Sequence, residues 1–166
     1  MEGSLSTDIG LREIPRLLRQ LTDSLGMTVF KHVLRQKMNR HLVDTTVLVE
    51  LLRGNILAKK FLESSPEISK ITLVELIQGC KNKEELRLVE KACDPLHQIK
   101  INSEISSLAI DLLRKYNLSH GLLFLDALIA ATCIIRKNIL VTQNLRDFRF
   151  ITGLEVISQK EAFVTS

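Results

Sequence analysis

GLLFLDALIAATCII, residues 121–135, contains a single charged side chain, Asp126, among apolar neighbours. If the segment is a helix, apolar residues lie on every face of it, which predicts a helix buried inside the domain. At 15 residues it is too short for a membrane span. A buried carboxylate costs several kcal/mol unless a cation or strong donors compensate it. Asp126 is therefore either a first-turn residue that caps free amides and favours the helix dipole, or a metal-ligating or catalytic group.

The composition is that of one globular domain. Of the 166 residues, 45% are hydrophobic and 25% charged, which argues against disorder and fibre formation. The cysteines, Cys80, Cys93 and Cys133, are odd in number and form no CxxC pair, which favours a reducing compartment over a disulfide framework or a zinc site. The first thirty residues contain charges throughout and show no signal peptide. These features predict a soluble, cytoplasmic protein that does not enter a membrane.

The positive charge is concentrated at the front of the chain. The net charge is +4, and residues 1–40 hold seven Lys and Arg against four Asp and Glu. Helical spacing of apolar residues predicts a basic helical extension over residues 1–40, followed by a domain over residues 41–166. The extension could pack on the domain, bind a partner or be foreign to relatives of the chain. A basic arm favours nucleic acid or an acidic partner, but an excess this small is more typical of a solvated face.

Short apolar strands alternate with helices from His41 onward. This alternation predicts a central, mostly parallel sheet covered on both faces, a three-layer α/β/α domain. The predicted strands are His41–Val43, Ile68–Leu73, Ile139–Val141 and Leu154–Ile157, with a short connecting strand at Leu96–Ile101. The predicted helices include Ile56–Leu62, a charged surface helix at Lys81–Lys91 and an amphipathic helix from Ser103.

Acids or amides follow the predicted strands. Asp44 follows the first strand, Glu75 stands one step past the second, Asn144 or Asp147 follows the third, and Asp126 opens the buried helix. Right-handed crossovers place these strand ends on one edge of the sheet, so the side chains can converge. Clustered carboxylates raise each other's pKa unless cations neutralise them. Oxygen donors without His or Cys suit Mg²⁺ or Mn²⁺, which at a phosphodiester would activate a water.

Four segments, in the right order, resemble the successive motifs of PIN domains, and the similarity is greatest to VapC-type toxins of type II toxin–antitoxin systems. The segments are LVDTTVL (residues 42–48), ITLVEL (71–76), LDALIAAT (125–132) and LVTQNLRDF (140–148). The resemblance implies a metal-dependent endoribonuclease that cleaves structured RNA such as tRNA or ribosomal RNA. It also implies a homodimer that a cognate antitoxin protein holds inactive.

By the same resemblance, Asp44, Glu75 and Asp126 form the catalytic acidic site. Asp44 and Asp126 match the direct ligands of Mg²⁺ or Mn²⁺, Glu75 ligates the metal or positions water, and Thr46 supports the first aspartate. The fourth ligand is open between two residues. Asn144 stands where many PIN domains have aspartate, and Asp147 follows three residues later. An amide at this position would reduce affinity for a second metal ion.

Other functions compete with the toxin. The same fold could process RNA without an antitoxin, and no residue in the chain decides between the two. The domain could also be a non-catalytic RNA-binding or protein-interaction module whose acids merely cap helices, in which case metal would not stabilise it. A phospho-acceptor regulatory domain would need a lysine on a later strand, where this chain has Thr142.

Several surface roles remain open at this level. Part of the hydrophobic set Leu48, Leu51, Leu52 and Ile56 could reach a dimer face, although core packing explains most of it. The cations that could touch RNA phosphate are Lys59, Lys60, Arg146 and Arg149. Aromatic residues make up 4% of the chain and Trp is absent, which disfavours a base-stacking platform and favours recognition of backbone shape and charge.

Overall fold

The computed structural model describes residues 41–52 and 66–165, without the side chains of residues 49–52, 164 and 165. The predicted basic extension over residues 1–40 lies outside the described residues. The same holds for the predicted helix Ile56–Leu62, for Lys59 and Lys60, and for the side chains of Leu51 and Leu52.

A parallel sheet of five strands forms the centre of the described structure, in the order β3-β2-β1-β4-β5. The first strand along the chain is therefore the middle strand, and Val43 pairs with Ile68 on one side and Val141 on the other. The strands are β1 (His41–Val43), β2 (Glu67–Ser69), β3 (His97–Ile99), β4 (Ile139–Thr142) and β5 (Val156–Ser158).

Helices cover both faces of this sheet. One buried cluster joins Val43 to Val47, Val89 and Phe163, and a second joins Leu42 to the long helix pair before β4. The helices are α1 (Thr45–Leu52), α2 (Lys70–Gln78), α3 (Lys83–Cys93), α4 (Ser103–His120), α5 (Phe124–Arg136) and α6 (Gln159–Thr165). The predicted three-layer α/β/α architecture is confirmed.

The buried helix predicted around Asp126 is confirmed as α5, in which every residue from Ala127 to Cys133 is buried. Gly121 ends α4 with a φ of 74°, a left-handed conformation that glycine adopts without the cost of a side chain. This sharp turn lets α5 follow α4 closely. None of the helices in the described parts of the chain is long and apolar enough to span a membrane.

The second strand is shorter than the sequence predicts. It ends at Ser69, whose Oγ accepts a hydrogen bond from the backbone N of Ile71 at 3.2 Å and caps α2. The prediction of a strand over Ile68–Leu73 is therefore wrong, because a short apolar run does not distinguish a buried strand from a buried helix. Glu75 lies in the second turn of α2 and not one step past a strand. The short connecting strand predicted at Leu96–Ile101 is confirmed as the edge strand β3, which covers His97–Ile99.

A polar cluster ties the strands together at their amino-terminal ends. Glu67, at the start of β2, is only 5% exposed. Its Oε2 accepts a hydrogen bond from Nδ2 of Asn138 at 2.7 Å, and its Oε1 pairs with Nδ1 of His97. The cluster joins β2, β3 and the turn before β4 at the edge opposite the strand ends that carry Asp44.

Candidate metal centre

Asp44 lies at the carboxyl end of the central strand, where open parallel sheets hold their ligands. It is 6% exposed. Its Oδ1 accepts hydrogen bonds from Oγ1 of Thr46 at 2.7 Å and from the backbone N of Val47 at 3.0 Å, and its Oδ2 accepts one from Oγ1 of Thr142. Burial raises the pKa of Asp44, and these hydrogen bonds lower it in part. The carboxylate therefore caps α1 and is also fixed rigidly at the sheet edge.

Glu75 faces Asp44 from α2. Its Oε2 accepts a hydrogen bond from Oγ1 of Thr45, the residue that follows Asp44. Burial raises the pKa of Glu75, the Thr45 hydrogen bond lowers it, and the negative charge of Asp44 raises it further. Glu75 therefore lies next to the carboxyl end of β1, although it is in a helix and does not follow a strand directly.

Asp126 lies in the first turn of α5, so a third element of the fold contributes an acid to the candidate site. Its pKa is raised to about 7, first by burial and then by the charges of Glu75, Asp147 and Asp44. Leu123, which stands at the start of α5, provides no side-chain cap. No described residue donates a hydrogen bond to Asp126, and no positive charge from the described residues lowers its pKa. The capping explanation for this carboxylate is therefore not realised.

Asn144 and Asp147 lie together after β4, around the short 3₁₀ turn Leu145–Asp147. Nδ2 of Asn144 donates to Oδ2 of Asp147 at 2.7 Å. The backbone N of Asn144 donates to Oγ1 of Thr142 at 2.9 Å. Because the charge of Asp147 acts on Asp126, the acid and not the amide extends the cluster of negative charge.

The donor set fits a hard divalent cation. The converging groups are carboxylates and hydroxyls, without His or Cys, which suits such a cation. Burial raises the pKa of Asp44, Glu75 and Asp126. The charge of Asp44 raises the pKa of Glu75 and Asp126 further. Within residues 41–52 and 66–165, no three His, Cys, Asp or Glu side chains are close enough to enclose a metal ion by themselves. A metal ion held here would need water or substrate oxygens to complete its ligands.

Two threonines that the sequence argument did not assign to the site support its acids. Thr45 holds Glu75, and Thr142 holds Asp44 while accepting the backbone N–H of Asn144. The available signals were the position of Thr45 directly after Asp44 and that of Thr142 at the end of a predicted strand, two residues before Asn144. Of the other residues considered, Leu48 is buried in the core, whereas Arg146 and Arg149 are exposed beyond β4.

Comparison with known proteins agrees with this architecture. The PIN domain profile matches residues 41–152. Ribonuclease VapC19 of Mycobacterium tuberculosis (strain CDC 1551 / Oshkosh) is 32% identical over 121 residues, which cover 69% of this chain and 96% of that protein. A toxin-antitoxin complex from Klebsiella pneumoniae contains a chain with 30% identity and a TM-score of 0.57, covering 70% of this chain and 95% of that one. DNA-bound VapBC from Salmonella typhimurium gives 25% identity and a TM-score of 0.63, covering 73% and 98%. By its sequence and its fold, the chain belongs to the PIN domain family.

Proposed function

We propose that this protein is a metal-dependent endoribonuclease and the toxin of a type II toxin–antitoxin pair. The observation that carries the proposal is the environment of Asp126. This carboxylate stands half-buried in the first turn of α5, with its pKa raised to about 7, among the charges of three other acids and without a described donor. Such a group is compensated by a cation. Similarity to a protein named ribonuclease and to toxin–antitoxin complexes supports the reaction and the biological role.

Each acid has a separate role in this proposal. Asp44 and Asp126 would hold the metal ion, Glu75 would ligate it or position a water, and Asp147 would be the fourth acid. When bound, Mg²⁺ or Mn²⁺ supplies charge stabilisation at the phosphate and lowers the pKa of a water.

The threonines keep these acids in place. Thr46 and Thr142 hold the two oxygens of Asp44, and Thr45 orients the carboxylate of Glu75. Since Oδ1 of Asp44 accepts two hydrogen bonds and Oδ2 accepts one, Oδ2 is the oxygen of Asp44 with capacity left to bind a metal ion.

The partners follow from the same proposal. The substrate is a structured RNA of the tRNA or ribosomal RNA class, and the active form is a cytoplasmic homodimer. Exposed apolar residues border the acids: Leu123 and Phe124 are 65% and 59% exposed beside Asp126, and Val74 and Ile77 flank Glu75 on α2. An apolar segment of the antitoxin would cover this border and with it the acidic site. The helical extension over residues 1–40, in front of a domain over residues 41–166, stays a prediction, because residues 1–40 lie outside the described residues.

The test compares RNA cleavage by the wild type, Asp126→Asn and Asp111→Asn, each with EDTA, Mg²⁺ or Mn²⁺. Asp111 is a matched control because it is an exposed aspartate of α4 that pairs with Arg114 on the surface. The proposal predicts discrete fragments for the wild type and Asp111→Asn with metal, and none for Asp126→Asn. Cleavage that persists in EDTA, or that survives in Asp126→Asn, would refute it.

A non-catalytic module is the second candidate, because the Asp44 carboxylate does cap α1 through the backbone N of Val47. This alternative predicts that Mg²⁺ leaves the melting temperature unchanged and that Asp126→Asn has no effect on function. The nuclease proposal predicts a rise in melting temperature with metal, since a ligand that binds the folded state stabilises it. Co-expression with the adjacent gene then separates a toxin from an RNA-processing enzyme. Cells that produce a toxin grow only when its antitoxin is also produced, whereas cells that produce a processing enzyme grow without one.

A further inference from the structure

Three aromatic side chains are in contact with one another, and one of them, His120, is exposed. Tyr116 and His120 lie on α4, and Phe150 lies beyond the 3₁₀ turn that follows β4. The rings of His120 and Phe150 are stacked, with centroids 4.3 Å apart and planes at 20°. Tyr116 lies 5.4 Å from Phe150 and meets the His120 ring edge-on at 5.7 Å. These residues are distant in sequence, and the fold alone brings them together.

The foundation of this ring group is rigid. Tyr116 is buried, and its hydroxyl donates to Oγ1 of Thr152 at 3.0 Å and accepts the backbone N–H of Thr152 at 3.1 Å. These bonds tie α4 to the segment after β4. His120, in contrast, is exposed, so one ring of the group is accessible to a ligand while Tyr116 is held in the protein interior.

Both chain segments that carry the rings lead directly into the acidic site. Phe150 follows Asp147 by three residues, so their Cα atoms lie within about 11 Å. His120 precedes Asp126 by six residues across the Gly121 turn, which limits the separation of their Cα atoms to about 20 Å. An RNA strand with its phosphate at the acids would pass the rings within a few nucleotides.

One cation lies against the ring group, and others lie on the chain segment that carries Phe150. Nζ of Lys115 lies 4.9 Å from the centroid of the Tyr116 ring. Arg146 and Arg149 are exposed on the segment that carries Phe150. These cations can attract phosphate, while an exposed ring can stack on a base, and single-stranded RNA is recognised by this combination.

We propose that His120, supported by Phe150, is a stacking site for an unpaired base of the RNA that the acidic site cleaves. The proposal rests on the proposed ribonuclease function and adds a contact that selects unpaired RNA near the cleaved bond. It departs from the expectation drawn from the low aromatic content, because stacking needs a few rings in one place and not a high average. The site contacts one nucleobase face and carries no sequence code by itself.

The test measures binding of fluorescein-labelled single-stranded RNA of mixed sequence to the full chain, by fluorescence anisotropy in EDTA. A second probe of the same length carries abasic sites and keeps only the sugar–phosphate backbone. His120→Ala should weaken binding of the intact RNA about five- to a hundred-fold, the range for loss of one stacked base. It should leave binding of the abasic probe nearly unchanged, and His120→Phe should restore affinity for intact RNA.

Leu118→Ala is the matched control, because Leu118 lies on the same helix and is 98% exposed. Its binding should equal that of the wild type. If His120→Ala binds intact RNA as well as the wild type does, or weakens both probes equally, the stacking proposal is wrong. Should His120→Ala lower the melting temperature, His120→Leu keeps the bulk without the ring, and wild-type affinity for intact RNA in that variant also overturns the proposal.

Cleavage measured in parallel separates the two proposals. Metal-dependent cleavage by a protein that does not distinguish intact from abasic RNA refutes stacking alone. Preferential binding of intact RNA through His120, without metal-dependent cleavage, refutes the nuclease assignment and leaves an RNA-binding surface.

Discussion

Thr142 donates its hydroxyl proton to Oδ2 of Asp44, 98 residues earlier in the chain. Thr142→Val keeps the shape of the side chain and removes this donor. Because a buried acceptor without its partner costs about 1–3 kcal/mol, we expect the free energy of unfolding to fall by that amount. Urea unfolding in EDTA measures the change. Thr142→Ser restores the hydroxyl and should recover most of the loss, and equal losses in both variants would show that packing of the methyl group matters and not the hydrogen bond.

The charge of the acidic cluster makes the stability of the metal-free protein depend on pH. The pKa of Asp126 is about 7 in the folded state, against 3.8 for an ordinary aspartate. Between these values the folded state holds a proton that the unfolded state releases, so the free energy of unfolding decreases as the pH rises from about 4 to 7. The raised pKa values of Asp44 and Glu75 act in the same direction.

Urea unfolding in EDTA across this pH range measures the effect, which is on the order of a few kcal/mol. Asp126→Asn should make the profile flatter, and saturating Mg²⁺ should stabilise the wild type most at the higher pH. A wild-type profile that is as flat as that of Asp126→Asn would contradict the raised pKa.

The fourth acid can be identified by a pair of substitutions. Asp147→Asn removes the charge that acts on Asp126, and we expect Mn²⁺ affinity and cleavage to fall about 10- to 100-fold, as when a residue supporting a metal site is changed. Asn144→Ala removes only the donor to Oδ2 of Asp147 and should cost less. Isothermal titration with Mn²⁺ and a cleavage assay give the two readouts. A larger loss in Asn144→Ala would reassign the fourth position to the amide.

Thr45 offers a test of orientation without loss of charge. Thr45→Val removes the donor to Glu75 and keeps every carboxylate. We expect kcat to fall about 10- to 100-fold while the protein still binds metal, because the carboxylate loses the bond that aims it. Cleavage kinetics together with Mn²⁺ titration check this expectation. Activity recovered in Thr45→Ser would assign the effect to the hydroxyl.

The cluster at the opposite edge should affect stability alone. Asn138→Ala leaves Oε2 of the buried Glu67 without its 2.7 Å donor and should lower the free energy of unfolding by about 1–3 kcal/mol. Because Asn138 lies at the other end of the strands from Asp44, kcat/KM should be unchanged at temperatures well below the melting point. A fall in kcat/KM comparable to that of Thr45→Val would show that the two edges are coupled.

Sequence reasoning reached the architecture because the relevant signals are local. The uniform burial of residues 127–133 and the strand His41–Val43 could be read from runs of apolar residues. The boundary between β2 and α2 could not be predicted, because the apolar run across it suits either a strand or a helix. The hydrogen bond by which Ser69 caps α2 sets this boundary, and it is visible only in the folded structure.

The acids of the candidate site were named from their positions after strands and at the start of α5, and in the structure the charges of Glu75, Asp147 and Asp44 all act on Asp126. The threonines that hold these acids were not identified from the sequence. Thr142 and Asp44, for example, are far apart in the chain and become neighbours only through the order of the strands in the sheet. The same reason explains the ring group, in which Phe150 meets His120 across two separate segments. Composition counts such rings but does not locate them.

The pairing of the central strand β1 with β4 has a consequence during synthesis. Asp44 is made 98 residues before Thr142, the residue that holds its second oxygen. At about 5–20 residues per second, a ribosome needs about 5 to 20 seconds to cover that interval. Throughout it the nascent chain contains the first acid without the strand that positions it. The acidic site therefore stays incomplete until most of the domain has been synthesised.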